Sequence, residues 1–124
     1  MFPMSDSIVP NHLIASAIQK MKNLGLGYLP VMEQGQVVGL LSQQDIVERC
    51  ATHQMDPSKF QVRDVMRKGP FVCQENQSIE DTIQQMDQNN TDHVIVLNEF
   101  HQVVGLVVRD EIIATFPSLG FGRS

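Results

Sequence analysis

Ser42 and Asp45 stand three residues apart, immediately ahead of the apolar pair Ile46-Val47. A serine hydroxyl with free backbone N–H groups at a helix start can meet phosphate oxygens. An ionised carboxylate can accept hydrogen bonds from two neighbouring hydroxyls. Ser-x-x-Asp before an apolar run is also the pattern of a helix capping box, and the residues alone favour the cap. Catalytic patterns are missing. There is no Gly-x-x-x-x-Gly-Lys loop and no His-Glu-x-x-His pair. Cys50 and His53 make two potential metal ligands, where a zinc site needs three or four. His12, His93 and His101 fall in different segments, so no nucleophile, base and orienting group converge. No enzyme activity, cofactor or metal centre is expected.

These residues sit in a chain of 124 residues with a formal charge of −5, long enough to bury a core without disulfides or a structural metal. The hydrophobic share of 42% is ordinary for a globular protein. The acidic balance speaks against nucleic acid, because phosphate affinity rests on clustered Lys and Arg. The densest basic cluster is Arg63, Arg67 and Lys68, interrupted by Asp64, and it reads as a solvated linker. Cys50 and Cys73 form no CxxC pattern and read as free thiols. No apolar run approaches the ~20 residues of a membrane helix, and Met1–Asp6 lacks the features of a signal peptide. A cytoplasmic chain with no membrane association is expected.

The elements that must position Ser42 and Asp45 emerge from an internal repeat. Shifted by about 65 residues, Asn11, Ile14, Ile18, Gln19 and Met21 fall on Asn76, Ile79, Ile83, Gln84 and Met86. After one extra residue in the second copy, Gln36-Val37-Val38-Gly39-Leu40 falls on Gln102-Val103-Val104-Gly105-Leu106, and Asp45-Ile46 on Glu111-Ile112. Helical spacing of Leu13, Ile14, Ala17, Ile18 and Met21 predicts a first helix with Asn11 as N-cap. Ser78 is the cap candidate in the second copy, and the helices end at Gly25–Gly27 and Asn89-Asn90. Strands are expected over 28–32 and 36–41, then 93–97 and 102–108, each pair followed by a helix starting near Asp45 or Asp110. Short strands are expected before the first helices, around 7–9 and 70–73. The fold class is therefore α/β (α+β), with a β-α-β-β-α unit used twice. The first repeat with its connector spans 1–61, and the second with its Gly- and Ser-rich tail spans 62–124. Each unit leaves a sheet face bare, so the copies are expected to pack as a pseudo-two-fold pair.

The unit resembles a CBS domain (cystathionine β-synthase domain). The resemblance lies in the strand ending Val37-Val38-Gly39-Leu40-Leu41-Ser42, in Asp45-Ile46 after it, and in Val62-Arg63-Asp64-Val65-Met66, similar to the V-x-D-V-M lead-in of many such domains. Two copies in tandem resemble the Bateman module, and the likeness spans about Ser7 to Ala114. Met1 falls on Met66, so the first copy starts where its own lead-in should stand. A stand-alone module and a piece of a larger regulated protein both remain open.

The resemblance implies a regulatory module that binds an adenosine-type ligand (AMP, ATP or S-adenosylmethionine class) in the cleft between repeats. Ser42 and Asp45 would meet ribose and phosphate. Gly39 would admit a base or sugar, Leu40 and Pro30 would line apolar walls, and Tyr28 and Gln44 would lie nearby. In the second repeat Val108 and Glu111 replace Ser42 and Asp45, which weakens that cleft. His93, Arg109, Glu111 and Thr82 are its weaker candidates, with Arg109 expected to face solvent. The alternative is a ligand-free structural or dimerisation module. Helix faces carrying Ile46, Val47, Ile112 and Ile113 are expected near the outside and favour a two-fold homodimer. A regulated enzyme or transporter would be the larger partner.

Overall fold

The computed structural model describes residues 2–3 and 6–115. Its elements are β1 (Phe2–Pro3), α1 (Ile14–Leu24), β2 (Tyr28–Glu33), β3 (Gln36–Ser42), α2 (Gln43–Thr52), a 3-10 turn (Val62–Asp64), β4 (Arg67–Lys68), β5 (Val72–Gln74), α3 (Ile79–Gln88), β6 (His93–Leu97), β7 (Val103–Val108) and α4 (Arg109–Thr115). The mixed α+β class with two small sheets agrees with the sequence reading. The expected tail and Ile113 side chain lie outside the described residues.

Two compact bodies result, one of residues Asp6–Pro70, the other starting at Phe71 and taking in the N-terminal strand. In the first body β2, β3 and β4 form an antiparallel sheet. In the second the order is β1-β7-β6-β5, with β5 parallel to β6. The repeat is kept at the level of register. Arg67 pairs with Leu40 and Lys68 with Gly39, as Phe2 pairs with Leu106 and Pro3 with Gly105. The segment after Val62 thus folds onto the first body. Val62 and Val65 join its core with Ile8, Ile14, Ala17, Met21, Leu29, Val31, Leu41 and Ile46. The sequence repeat begins at Val62, whereas the packing divides after Pro70.

The strand expected around residues 7–9 shrinks to one parallel bridge, Ile8 with Val31. Ile8 N–H donates to Pro30 O, and Met32 N–H donates to Ile8 O. The next donor of that ladder would be Pro10, which has no N–H. In the second body Glu75 holds this position, its N–H reaches Leu97 O at 2.9 Å, and β5 forms.

Asn11 does not cap α1. Leu13 takes the N-cap position without a side-chain hydrogen bond. The first-turn donors instead find the connector, Ile14 N–H on Phe60 O and Ala15 N–H on Pro57 O, both at 2.9 Å. Ser78 does cap α3, its Oγ accepting from Asp81 N–H. Gly25 closes α1 in the left-handed conformation, at φ 67°. Ile46 is buried in the first core rather than near the outside, because it stands on the face of α2 that meets Met21 and Leu41. Its neighbour Val47 is 59% exposed, and Ile112 packs against the core of Cys73, Ile83, Met86, Val94 and Val96.

Candidate functional site

The first candidate site is built at the end of β3. Ser42 leaves the strand in extended conformation, and its buried Oγ accepts from Asp45 N–H at 3.0 Å. This caps α2 and sets Asp45 on its first turn. β2 pairing places Tyr28 opposite Ser42, so the two side chains share a sheet face. On the other side of β3, β4 brings Arg67 to Asp45. Arg67 Nε donates to Oδ2 at 2.9 Å and Nη2 to Oδ1 at 3.4 Å. Partial burial pushes the Asp45 pKa up. Hydrogen bonds from Arg67 and Ser42, with the charges of Arg67 and Arg49, outweigh it and hold the carboxyl below its ordinary value.

Two expectations change here. Arg67 and Lys68 are a strand, and Arg67 is an ion-pair partner rather than part of a solvated linker. Gly39 does not open the strand to a ligand. A Cβ there would lie 2.6 Å from Met66 Sδ and 3.1 Å from Arg67 O, so the missing side chain makes room for β4. Leu40 and Pro30 are buried, and Gln44 is exposed on α2. Arg67 could have been suspected, since it stands where the first copy has Phe2 and breaks the repeat with a charge.

The second repeat builds a different surface. β6 pairing sets His93 opposite Val108, matching Tyr28 and Ser42. A pocket of about 320 Å³ opens beside the end of β7, and Val108, Glu111, Cys73, Glu75 and Thr82 are among the residues that line it. Thr82 is buried, donates to Ser78 O at 2.9 Å and accepts from Gln77 Nε2 at 3.1 Å. Burial pushes the Cys73 thiol pKa up, only partly offset by a hydrogen bond with Thr82. Thr82 and Glu111, named from the sequence, line this pocket together with Cys73, which the sequence reading did not name for a site and which alternation in β5 turns inward.

Arg109 does not face solvent. It is fully buried and pairs through Nη1 with Asp87 of α3. Among the described residues its buried Nε and Nη2 meet no hydrogen-bond partner. It stands where the first repeat has Gln43, and it does not line the pocket beside Glu111.

Among the described residues no group of three His, Cys, Asp or Glu side chains could hold a metal ion, and no helix is long and apolar enough to cross a membrane. Residues 5–52 and 62–118 each match the CBS domain family. An uncharacterized protein of Methanocaldococcus jannaschii is 23% identical over 107 residues, which are 86% of this chain but 34% of the relative. The chain thus spans about a third of that relative's length. The CBS domain-containing protein YhcV of Bacillus subtilis is 29% identical over 106 residues, 86% of this chain and 74% of the relative. Among solved structures, Hypoxic Response Protein I with two coordinated zinc ions superposes with a TM-score of 0.70 at 24% identity, covering 93% of this chain and 94% of the other. Two family matches in tandem, on two bodies that repeat one register, lead to one conclusion: this chain belongs to the CBS domain family and carries a pair of its repeats, a module typical of regulatory ligand binding.

Proposed function

We propose that the chain is a regulatory, non-catalytic ligand-sensing module that holds an adenosine-type nucleotide at the Ser42–Asp45 end of its first repeat. The observation that carries this reading is the convergence of a carboxylate, a guanidinium and a capped helix start at the end of β3. Asp45 has about four lone-pair positions; Arg67 engages two of them and Ser42 a third, which leaves one to accept from a ribose hydroxyl. Arg67, 55% exposed, supplies a positive charge for a phosphate. Tyr28, Leu40, Pro30 and Gln44 complete the proposed seat, with His93, Glu111 and Thr82 as the weaker set in the second repeat; Arg109, buried against Asp87, leaves that set. The module acts as a homodimer on a regulated enzyme or transporter in the cytoplasm. A ligand controls such a partner only through its differential affinity for two arrangements of the module.

A second reading, a ligand-free dimerisation module, is favoured by the same contacts, since Ser42 caps α2 and Arg67 engages both Asp45 oxygens. A thermal-shift panel of AMP, ATP, S-adenosylmethionine and NAD separates the two. A ligand at about 100 times its dissociation constant adds ~2.7 kcal/mol to stability. No shift with any of the four supports the ligand-free reading.

A further inference from the structure

The two repeats build the same junction between the end of their first helix and the start of their second. Gly25 N–H donates to Lys22 O and Leu26 N–H to Met21 O in the first repeat. Asn90 N–H donates to Asp87 O and Thr91 N–H to Met86 O in the second. Gln43 N–H reaches Gly27 O at 2.9 Å, as Arg109 N–H reaches Asp92 O at 2.9 Å. Gln43 and Lys22 therefore hold the places of Arg109 and Asp87. The side chains differ. In the second repeat the buried guanidinium of Arg109 crosses to Asp87 and closes the junction. In the first, Gln43 and Lys22 are both exposed, and a cavity of about 380 Å³ stands open between α1 and α2.

We infer that this cavity is a binding site for a small apolar molecule that carries one carboxylate. It is separate from the proposed nucleotide seat, since none of Tyr28, Pro30, Leu40, Ser42, Gln44 and Asp45 lines it. Its volume lies at the lower end of the range for small-molecule sites, roughly 300–1,000 Å³. Ile18, Met21, Leu26, Ile46 and Val47 make its walls apolar, and Lys22 is the charged side chain among the residues that line it. Among the described residues Lys22 makes no ion pair. A carboxylate enters apolar surroundings only with a partner, and Lys22 supplies one. The sign of the ligand's charge follows from the exchange between repeats. An acid at 87 holds a cation, whereas a lysine at 22 holds an anion and repels a guanidinium or an amine. The helix ends agree. Lys22 O and Met21 O at the end of α1 are already engaged. α2 starts at Gln43, so a helix N-terminus, which favours negative charge, borders the cavity. Nothing lies within 4 Å of where a Cβ would stand at Gly25 or Gly27, so the rim is open to a ligand.

NMR titration of the full chain with octanoate and with octan-1-ol tests this, in wild type, in Lys22→Asp and in the double variant Lys22→Asp with Gln43→Arg. The double variant rebuilds in the first repeat the closure that Arg109 and Asp87 make in the second. Both replaced side chains are exposed, so folding should survive, and the amide spectrum checks it. Octanoate is expected to bind with a dissociation constant below about 1 mM, at least about tenfold tighter than octan-1-ol. The amides of Leu26, Gly27 and Val47 should shift as it binds. Lys22→Asp should remove the preference for octanoate and leave octan-1-ol binding in place. The double variant should bind neither. Five results each overturn the inference: no octanoate binding in that range, shifts confined to other residues, equal affinities for the two probes in wild type, octanoate affinity unchanged in Lys22→Asp, or octan-1-ol bound by the double variant as tightly as by wild type.

Discussion

Arg67 Nε lies 2.9 Å from Asp45 Oδ2 across a sequence separation of 22 residues. The pair joins β4 to the first turn of α2, so the segment leading into the second repeat completes the polar end of the first. Arg67 is half exposed, which limits what the contact adds to folding. Arg67→Ala should cost at most about 1 kcal/mol, the range of exposed ion pairs. Chemical denaturation measures that cost, and the same variant should bind AMP about tenfold more weakly. A large stability loss with unchanged affinity would make Arg67 a structural residue only.

The pair also predicts a pH dependence. The Asp45 carboxyl has a lowered pKa in the folded chain against 3.8 as its ordinary value. Its contribution to stability is therefore present above pH 3.8 and is lost as pH falls through the folded value. Asp45→Asn should be less stable than wild type near neutral pH, with the gap closing below pH 3.8. Thermal melts of both proteins from pH 7 to pH 3 measure the gap. A constant gap would show that the charge is not what stabilises.

Gly39→Ala places a methyl group 2.6 Å from Met66 Sδ and 3.1 Å from a backbone carbonyl. Met66 can bend aside, but the carbonyl of Arg67 cannot move without shifting β4. A loss of about 1–3 kcal/mol is expected, with Arg67 displaced from Asp45. Denaturant melts measure the loss, and an unperturbed protein would mean that β4 is not closely packed here.

Arg109 and Asp87 make a contrasting pair. The guanidinium is buried and the carboxylate is 39% exposed. Asp87→Ala leaves the cation buried and unpaired, at a cost near ~3 kcal/mol, the lower end for broken buried pairs. Arg109→Met removes the charge with much of its volume retained and should be close to neutral or stabilising. Urea melts of both variants decide it, and equal losses would contradict this ordering.

Much of both repeats was legible from residue order. Alternating and helical patterns located β2, β3, β6, β7 and α3 closely, and Ser78 caps as its type predicts. The misses share one cause: they depend on segments distant in sequence. Asn11 loses the cap role because the carbonyls of Phe60 and Pro57 serve α1. Arg109 reads as a surface residue until Asp87 of α3 comes beside it. Gly39 reads as an open approach until Met66 fills the space. Pro10 did carry a local signal against a first strand, because its missing donor ends the ladder at one bridge.

Calorimetric titration of AMP into wild type, Asp45→Ala and Glu111→Ala tests the central claim most directly. One AMP per chain is predicted. Asp45→Ala should weaken it by roughly 1.5–3 kcal/mol, about one to two decades, while Glu111→Ala leaves it nearly unchanged. Two equivalent AMP sites per chain, equal losses from both substitutions, or AMP affinity untouched by Asp45→Ala would contradict the account.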